Sequence, residues 1–323
     1  MELRHLQALV GVAETGSFSA AAESLGTVQS NISGHVARLE RELGLTLVDR
    51  GAGKLTPEGE IVVARAHRVL GELVALTVDL RALRAEVGGT VRAGMIGTVA
   101  RWLVPRLLGD LSERHPNIRL VISEGTTAGL EPQVSDGRID FALVSLPVPG
   151  RDLSSEPLFA EDLVLVVPAL GDPLGGARRI SLEDLTRFEL LLPAPGTPFR
   201  AELDAALVPA GIALRPRAEL DGVRLIASLT FEGYGPAVLP ASAVPQHLRE
   251  RFRLVLVEGL PRRQVGLAIR SRGLPSASTR AVIEALVHLV GTPERLPEGL
   301  HAITPEAISR TEGSLRVVGV PNG

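Results

Sequence analysis

From Pro57 to Val87 the chain holds no second proline and none of the apolar-polar alternation that a strand requires, so this stretch is expected to be one long helix with Pro57 in its first turn. Val62, Ala66, Val69, Leu73, Leu76, Leu80 and Leu83 recur along it at spacings of four, three, four, three, four and three, which is a heptad seam. The seam lies between two other units and has no obvious partner in its own chain. These seven residues are the dimerisation candidates, with a stripe packed on the chain's own domain as the alternative.

A short helical head is expected before the long helix. Leu3, Leu6, Leu9, Val10 and Ala13 mark one face of a first helix that Gly16 stops. Ser17 and Ser19 offer hydroxyls to cap a second helix, whose Ala20, Ala21 and Ala22 let another helix approach closely, and Gly26 ends it. Thr27 is expected to cap a third helix with Ile32, Val36, Leu39 and Leu43 turned inward, terminated by Gly44. Leu45 to Leu55, around a GAG tip, suggests a two-stranded wing or a short extended segment.

After Val87-Gly88-Gly89 the pattern changes to alternating strands and helices. Strands are expected at 90–96, 118–124 and 141–144 with helices at 100–114 and 130–137 between them, a βαβαβ order that implies a mainly parallel sheet. Strands at 163–167, 189–192 and 237–239, with helices at 200–210 and 222–231, suggest a second subdomain. A strand at 264–270 and a helix at 278–290 complete the fold, and Gly291 to Gly323, rich in proline, glycine and charge, reads as a loosely ordered tail.

Composition removes several functional classes. The 323 residues exceed what one small core organises, and 45% hydrophobic with 22% charged residues is ordinary for a globular protein. With no cysteine there is no disulfide, thiolate metal site or cysteine nucleophile, which fits a reducing compartment. The start MELRHLQALV lacks the basic end and long apolar run of a secretory signal, and no stretch approaches the roughly 20 apolar residues of a membrane span. A cytoplasmic location without membrane partners is expected. The net charge is −3, and residues 1–59 carry five Arg or Lys against seven Asp or Glu, so any DNA contact must rest on local placement.

The segment ETGSFSAAAESLGTVQSNISGHVARLERELGLTLVDR, Glu14 to Arg50, closely resembles the helix-turn-helix signature of LysR-type transcriptional regulators. The resemblance continues through KLTPEG, the long helix, and VRAGMIG with LVPRLLGDLSERHPNIRL, and so spans residues 1 to 292. It implies an α/β protein with an N-terminal all-α winged helix-turn-helix domain (1–58), a linker or dimerisation helix (59–87), a two-subdomain effector-binding domain like periplasmic solute-binding proteins (88–292) and a C-terminal tail (293–323). It also implies a transcriptional regulator rather than an enzyme. The partners implied are double-stranded DNA, a small-molecule effector, further copies of the chain in a homodimer or homotetramer, and RNA polymerase.

With the apolar positions of the third helix turned inward, its opposite face presents Gln29, Ser30, Ser33 and Gly34, with His35 and Arg38 at the flank. Gln29 has the amide for bidentate pairing with adenine, and the serines can bond a base edge or a phosphate. A solvated polar face is the bland alternative. Val28, Gly34 and His35 depart from the family's usual serine and larger polar residues, and Gly34 removes a base-reading side chain at about 1 kcal/mol of helix propensity. Arg50 and Lys54 flank the wing tip, in reach of a phosphate or the minor groove, and Thr56 could add a backbone contact. GAGKLT brushes against a nucleotide motif but lacks glycine at Val48 and a hydroxyl at Leu55.

Ligands of a parallel sheet gather beyond its strands' carboxyl ends, where helix amino termini project donors. Thr98, Thr126, Thr127 and Ser145 follow the first three strands, and Gly196 and Thr197 occupy a PAPGTP loop in the other half. Together they outline an effector cleft, although hydroxyls also cap ordinary turns. EGYGPAVLP, 232–240, resembles the family's glycine-rich strand entry near the hinge. No cofactor is expected; the effector is expected to be a carboxylate or other small anion, with Arg101 or Arg200 adding charge. No GxSxG, HExxH or His/Asp cluster appears, and His67, His115 and His288 are scattered, so neither catalytic nor metal-binding residues are assigned. A stand-alone solute-binding protein and an α/β enzyme with an attached DNA module are the competing readings; the first would need an export signal, the second a reactive constellation.

Overall fold

The computed structural model describes residues 1–51, 53–83, 87–150, 152–171, 173–293 and 296–303. Helices α1 (Leu3–Thr15), α2 (Phe18–Ser24) and α3 (Gln29–Leu43) form the head, and Leu6, Leu9, Ala21, Ile32, Val36 and Leu39 fill its core. Gly16 and Gly44 close α1 and α3 at φ 75° and 69°, in the left-handed region where glycine carries no Cβ penalty. Of the two serines expected to cap α2, Ser17 accepts the Ala20 amide at 3.1 Å, while Ser19 turns toward Gln29. Thr27 does not cap α3. The N-cap residue is Val28, and the Thr27 hydroxyl accepts from the Asn31 side-chain Nδ2 at 3.0 Å instead. Leu43 is 39% exposed rather than turned inward, because the last turn of α3 projects past the head's core.

The wing is an antiparallel pair, β1 (Val48–Asp49) and β2 (Lys54–Leu55). Glu40 of α3 ties it down by accepting the Leu47 and Val48 amides at 2.9 and 3.2 Å. Helix α4 (Pro57–Ala82) follows at once. Thr56 caps it, accepting the Gly59 amide at 3.0 Å while donating to the Thr46 carbonyl at 2.7 Å. Gly59 is required by close approach: a Cβ there would overlap the Leu47 carbonyl oxygen.

The 26 residues of α4 span roughly 39 Å at 1.5 Å per residue. One side packs Val63 and Ala66 into the head's core, and further along Val78 is buried where the helix meets the C-terminal domain. Two of the seam residues, Ala66 and the half-buried Val62, therefore serve the head. The remaining five stay exposed: Val69, Leu73, Leu76, Leu80 and Leu83 are 40–84% accessible. The same helix touches the domain beyond it. Arg68 Nε donates to the Ser135 carbonyl at 2.9 Å, and Asp79 accepts the Ala277 amide at 2.7 Å.

The C-terminal domain has two lobes. The first holds β3 (Gly89–Met95), α5 (Gly97–Arg114), β4 (Ile118–Glu124), α6 (Thr127–Asp136), β5 (Phe141–Ser145) and β6 (Leu153–Glu161), and the chain returns to it for β13 (Arg263–Arg270), α9 (Ala277–Gly291) and β14 (Leu300–Ala302). Its sheet runs β14-β6-β13-β5-β3-β4. β3 is parallel to β4 and β5, as the βαβαβ order implied, but β5, β6 and β14 join through antiparallel pairs, so the sheet is mixed rather than mainly parallel. The second lobe holds β7 (Leu163–Pro168), β8 (Arg179–Ile180), β9 (Glu189–Pro193), α7 (Pro198–Leu207), β10 (Arg215–Leu220), α8 (Val223–Phe231), β11 (Ala237–Pro240) and β12 (Phe252–Val257), in a four-stranded sheet β11-β7-β12-β8 and a parallel pair β9-β10. Part of the expected tail is an edge strand: β14 pairs with β6 in register Leu300–Glu161 to Ala302–Phe159. The rest of the expected tail, 304–323, lies outside the described residues, as do 84–86 near the end of the expected linker.

Two chain crossings join the lobes, β6 into β7 and β12 into β13, and they meet in one cross-strand pair, Arg263 opposite Glu161.

Candidate DNA-binding face and effector cleft

On α3 the N-terminal residues Gln29 and Ser30 are exposed, as are Gly34 and Arg38 along the same helix. Ser19 donates to Gln29 Oε1 at 3.2 Å, a bond on the exposed surface of the head. A Cβ at Gly34 would meet nothing within 4 Å, so the glycine leaves open space rather than permitting a contact. Ser33 is half-buried. His35 turns back to the head, its ring 5.5 Å from that of His5, and burial, then the neighbouring His5 and Arg4, hold it below the usual imidazole value. It is a neutral packing group near pH 7. Arg50 reaches Glu40 at 3.5 Å and lies over the Phe18 ring at 5.7 Å, while Lys54 is exposed on β2. Thr56 is engaged in capping α4. Exposed Val28 at the tip of α3, 59% accessible, adds an apolar group that sequence reading noted only as a departure.

The second site is a cleft of about 830 Å³ between the lobes. The carboxyl ends of β3, β4 and β5 deliver Thr98, Thr126, Thr127 and Ser145 to one wall, and Thr197 comes from the other lobe. Gly196 does not line the cleft; at φ 82° it turns the chain toward α7. The threonine hydroxyls already have local bonds. Thr126 caps α6 through the Gly129 amide at 3.2 Å, Thr127 accepts the Ser145 amide at 3.2 Å, and Thr197 caps α7 through the Arg200 amide at 3.3 Å. Neither arginine expected to supply charge faces the cleft. Arg101 is exposed outside it, and Arg200 is tied to Asp204 at 3.0 Å and Glu219 at 2.8 Å.

The charged groups that do line the cleft were missed. Arg263, 7% exposed, donates to Glu161 at 2.8 and 2.5 Å and to the Thr98 hydroxyl at 2.9 Å. Glu161, fully buried and not itself a lining residue, accepts the Ser242 amide at 3.0 Å with its other oxygen. Across the mouth, Arg224 of α8 pairs with Glu124 at the end of β4. Glu131, Glu202 and Asp221 complete the set. Burial raises the Glu202 carboxyl above the usual range, partly offset by Arg263. No local sequence pattern pairs residues as distant as 161 and 263, so only the sheet register brings these charges together.

Helix α6 links the cleft to α4. Its first residues, Thr127, Ala128 and Glu131, line the cleft, and its last turn offers the Ser135 carbonyl to Arg68. Among the described residues no group of three or more His, Asp or Glu is placed to hold a metal, and no helix is long and apolar enough to cross a membrane.

Comparison with known proteins agrees with this division. The family model for the bacterial regulatory helix-turn-helix protein, lysR family, matches residues 3–60, and that for the LysR substrate binding domain matches residues 84–290. A probable hydrogen peroxide-inducible genes activator from Mycobacterium leprae is 33% identical over 296 residues, covering 89% of this chain and 94% of that one. The DNA-binding transcriptional dual regulator OxyR from Escherichia coli is 28% identical over 295 residues, covering 90% and 95%. A full-length OxyR variant from Pseudomonas aeruginosa superposes with a TM-score of 0.72 at 28% identity, covering 94% of this chain and 99% of that one. Full-length CbnR complexed with its target DNA shares the fold at a TM-score of 0.63 and 24% identity, over 90% and 99% of the two chains.

Proposed function

The chain belongs to the LysR family of DNA-binding transcriptional regulators, and we propose that it works as an oligomer, at least a dimer paired through α4, that reads DNA with the amino end of α3 and answers a small molecule held between its lobes. What carries this reading is the exposed apolar stripe on α4 between a head with free polar groups on its third helix and a cleft walled by both lobes. Two paired chains place two copies of α3 on one DNA face, in successive major-groove segments. Gln29 and Ser30 are the base-edge contacts, Val28 supplies methyls for thymine, and Arg38, Arg50 and Lys54 serve phosphates. RNA polymerase is the further partner through which such binding would act.

Peroxide-responsive relatives do not transfer their signal to this chain through thiol chemistry. Two-electron oxidation by peroxide starts at a cysteine thiolate or, more slowly, a methionine. The chain has no cysteine, and of its two methionines Met95 is fully buried while Met1 sits on the head, remote from the cleft. We therefore assign a reversible ligand rather than an oxidation event. One binding assay tests both points. On a selected operator, Gln29→Ala should lose roughly 1–3 kcal/mol of discrimination between cognate and altered sites while remaining a dimer, and peroxide should leave the wild-type curve unmoved. Unchanged discrimination would remove Gln29 from the interface, and a peroxide-dependent shift would overturn the ligand assignment.

Coupling runs through α6. A ligand that binds one placement of this helix better than another biases the contact between its last turn and Arg68 on the linker. Arg68→Ala should bind DNA and ligand normally but lose most of the effect of one on the other. Retained coupling in a paired titration would place the route elsewhere.

A further inference from the structure

The expectation of an anionic effector rested on helix amino termini and threonine hydroxyls. In the cleft the threonine hydroxyls are already engaged from within the chain, and of the helix amino ends that line it α6 and α7 are capped while α5 and α8 carry no side-chain cap. At the uncapped start of α5 the Glu124 carboxylate lies close to Gly97, leaving no room there for a Cβ, so a negative charge already stands beside that helix end. Thr126 takes the first-turn amide of α6. α7 opens with Pro198, which has no N–H, and Thr197 takes the Arg200 amide of its first turn. Both arginines are likewise matched, Arg263 by Glu161 and Arg224 by Glu124. What remains of the charged side chains is acidic: Glu131, Glu202 and Asp221 line the cleft and, among the described residues, none has an ion pair.

The rest of the lining is largely apolar. Pro147, Pro149, Pro193, Pro198 and Pro261, with Phe199, give rigid hydrocarbon surface from both lobes. Phe199 and Glu202 stand one turn apart on α7, so an apolar body against the ring places its polar end beside that carboxylate. A carboxylate ligand would meet uncompensated negative charge in a partly desolvated site, whereas a cation would find a counter-ion.

We propose that the effector is a primary amine or similar cation on an apolar body, with Glu202 as its counter-ion. The proposal rests on the effector reading of the cleft and adds the ligand's charge to it. Glu202→Gln is a safe probe. Because burial raises this carboxyl's pKa, the folded protein holds the proton more tightly than the unfolded chain, so the ionised group lowers stability above its folded pKa and not below the ordinary carboxyl value. The amide variant should thus melt no lower than wild type at neutral pH.

The experiment is calorimetric titration of the full-length protein with pairs matched in their apolar part: butylamine and pentanoate, phenethylamine and 3-phenylpropanoate, tryptamine and indole-3-propanoate. Binding should appear among the amines, weaken roughly tenfold or more in Glu202→Gln, and vanish in Ala128→Trp, which fills the cleft wall. Binding confined to carboxylates, or to neither series, overturns the cationic assignment and leaves the cleft intact as an effector site. Amine binding that survives Ala128→Trp would overturn the cleft itself.

Discussion

Leu73→Asp should convert the protein to monomers and raise its apparent dissociation constant for DNA by about two orders of magnitude or more. Leu73 is 40% exposed in the single chain and lies within the stripe that also holds Val69, Leu76, Leu80 and Leu83. In a paired arrangement the seam brings two copies of the substituted position together, so two carboxylates lose solvent and repel. A penalty of about 3 kcal/mol corresponds to roughly a hundredfold weaker pairing. DNA affinity falls further because two heads on separate chains lose the effective concentration that linkage provides, typically about 10² to 10⁴. Sedimentation and anisotropy on the same preparation check both effects. The head itself should be undisturbed, since its packing onto α4 uses Val63 and Ala66.

Arg263→Met should destabilise the C-terminal domain by about 3–5 kcal/mol, because it strands the Glu161 carboxylate in a buried site. Glu161 keeps the Ser242 amide and loses the guanidinium that matches its charge. The effect should be larger than that of Glu161→Leu combined with Arg263→Met, where no charge is left unmatched and shape is roughly kept. A chemical denaturation series on the three proteins reads this difference. Since the pair lies where both inter-lobe crossings meet, the single variant should also loosen the lobes and weaken ligand binding. A double variant as damaged as the single one would show that packing, rather than charge matching, holds the hinge.

The difference between what could and could not be read from the sequence follows the range of the interactions. Helices α1, α3 and α4 were legible because apolar spacing, stop glycines and Pro57 are local signals, and β3 to β5 were legible from alternation with helices. Strands β6, β8, β10 and β14 were not, since their residues are short, charged or proline-bearing runs and only tertiary pairing makes them strands, while β12, FRLVLV, carried a local apolar signal that went unassigned. β10, for instance, carries Arg215, Pro216 and Arg217 and is held parallel to β9 through a register shift. On the site side, hydroxyls at strand ends could be placed because topology sets those ends. The charges could not: Glu161, Glu202, Arg224 and Arg263 look like ordinary surface residues in sequence. His35 shows the converse, a polar helix residue whose ring contact with His5 no local pattern announces.

The most direct measurement is a footprint of the purified full-length protein on randomly selected duplex at moderate salt, compared with Leu73→Asp. Two protected half-sites on one face of the helix, separated by about 10 base pairs or a multiple of it, both lost together in the variant, are the expected result. Protection of a single half-site by wild type, or no preference over random competitor, would contradict a paired molecule reading DNA through α3.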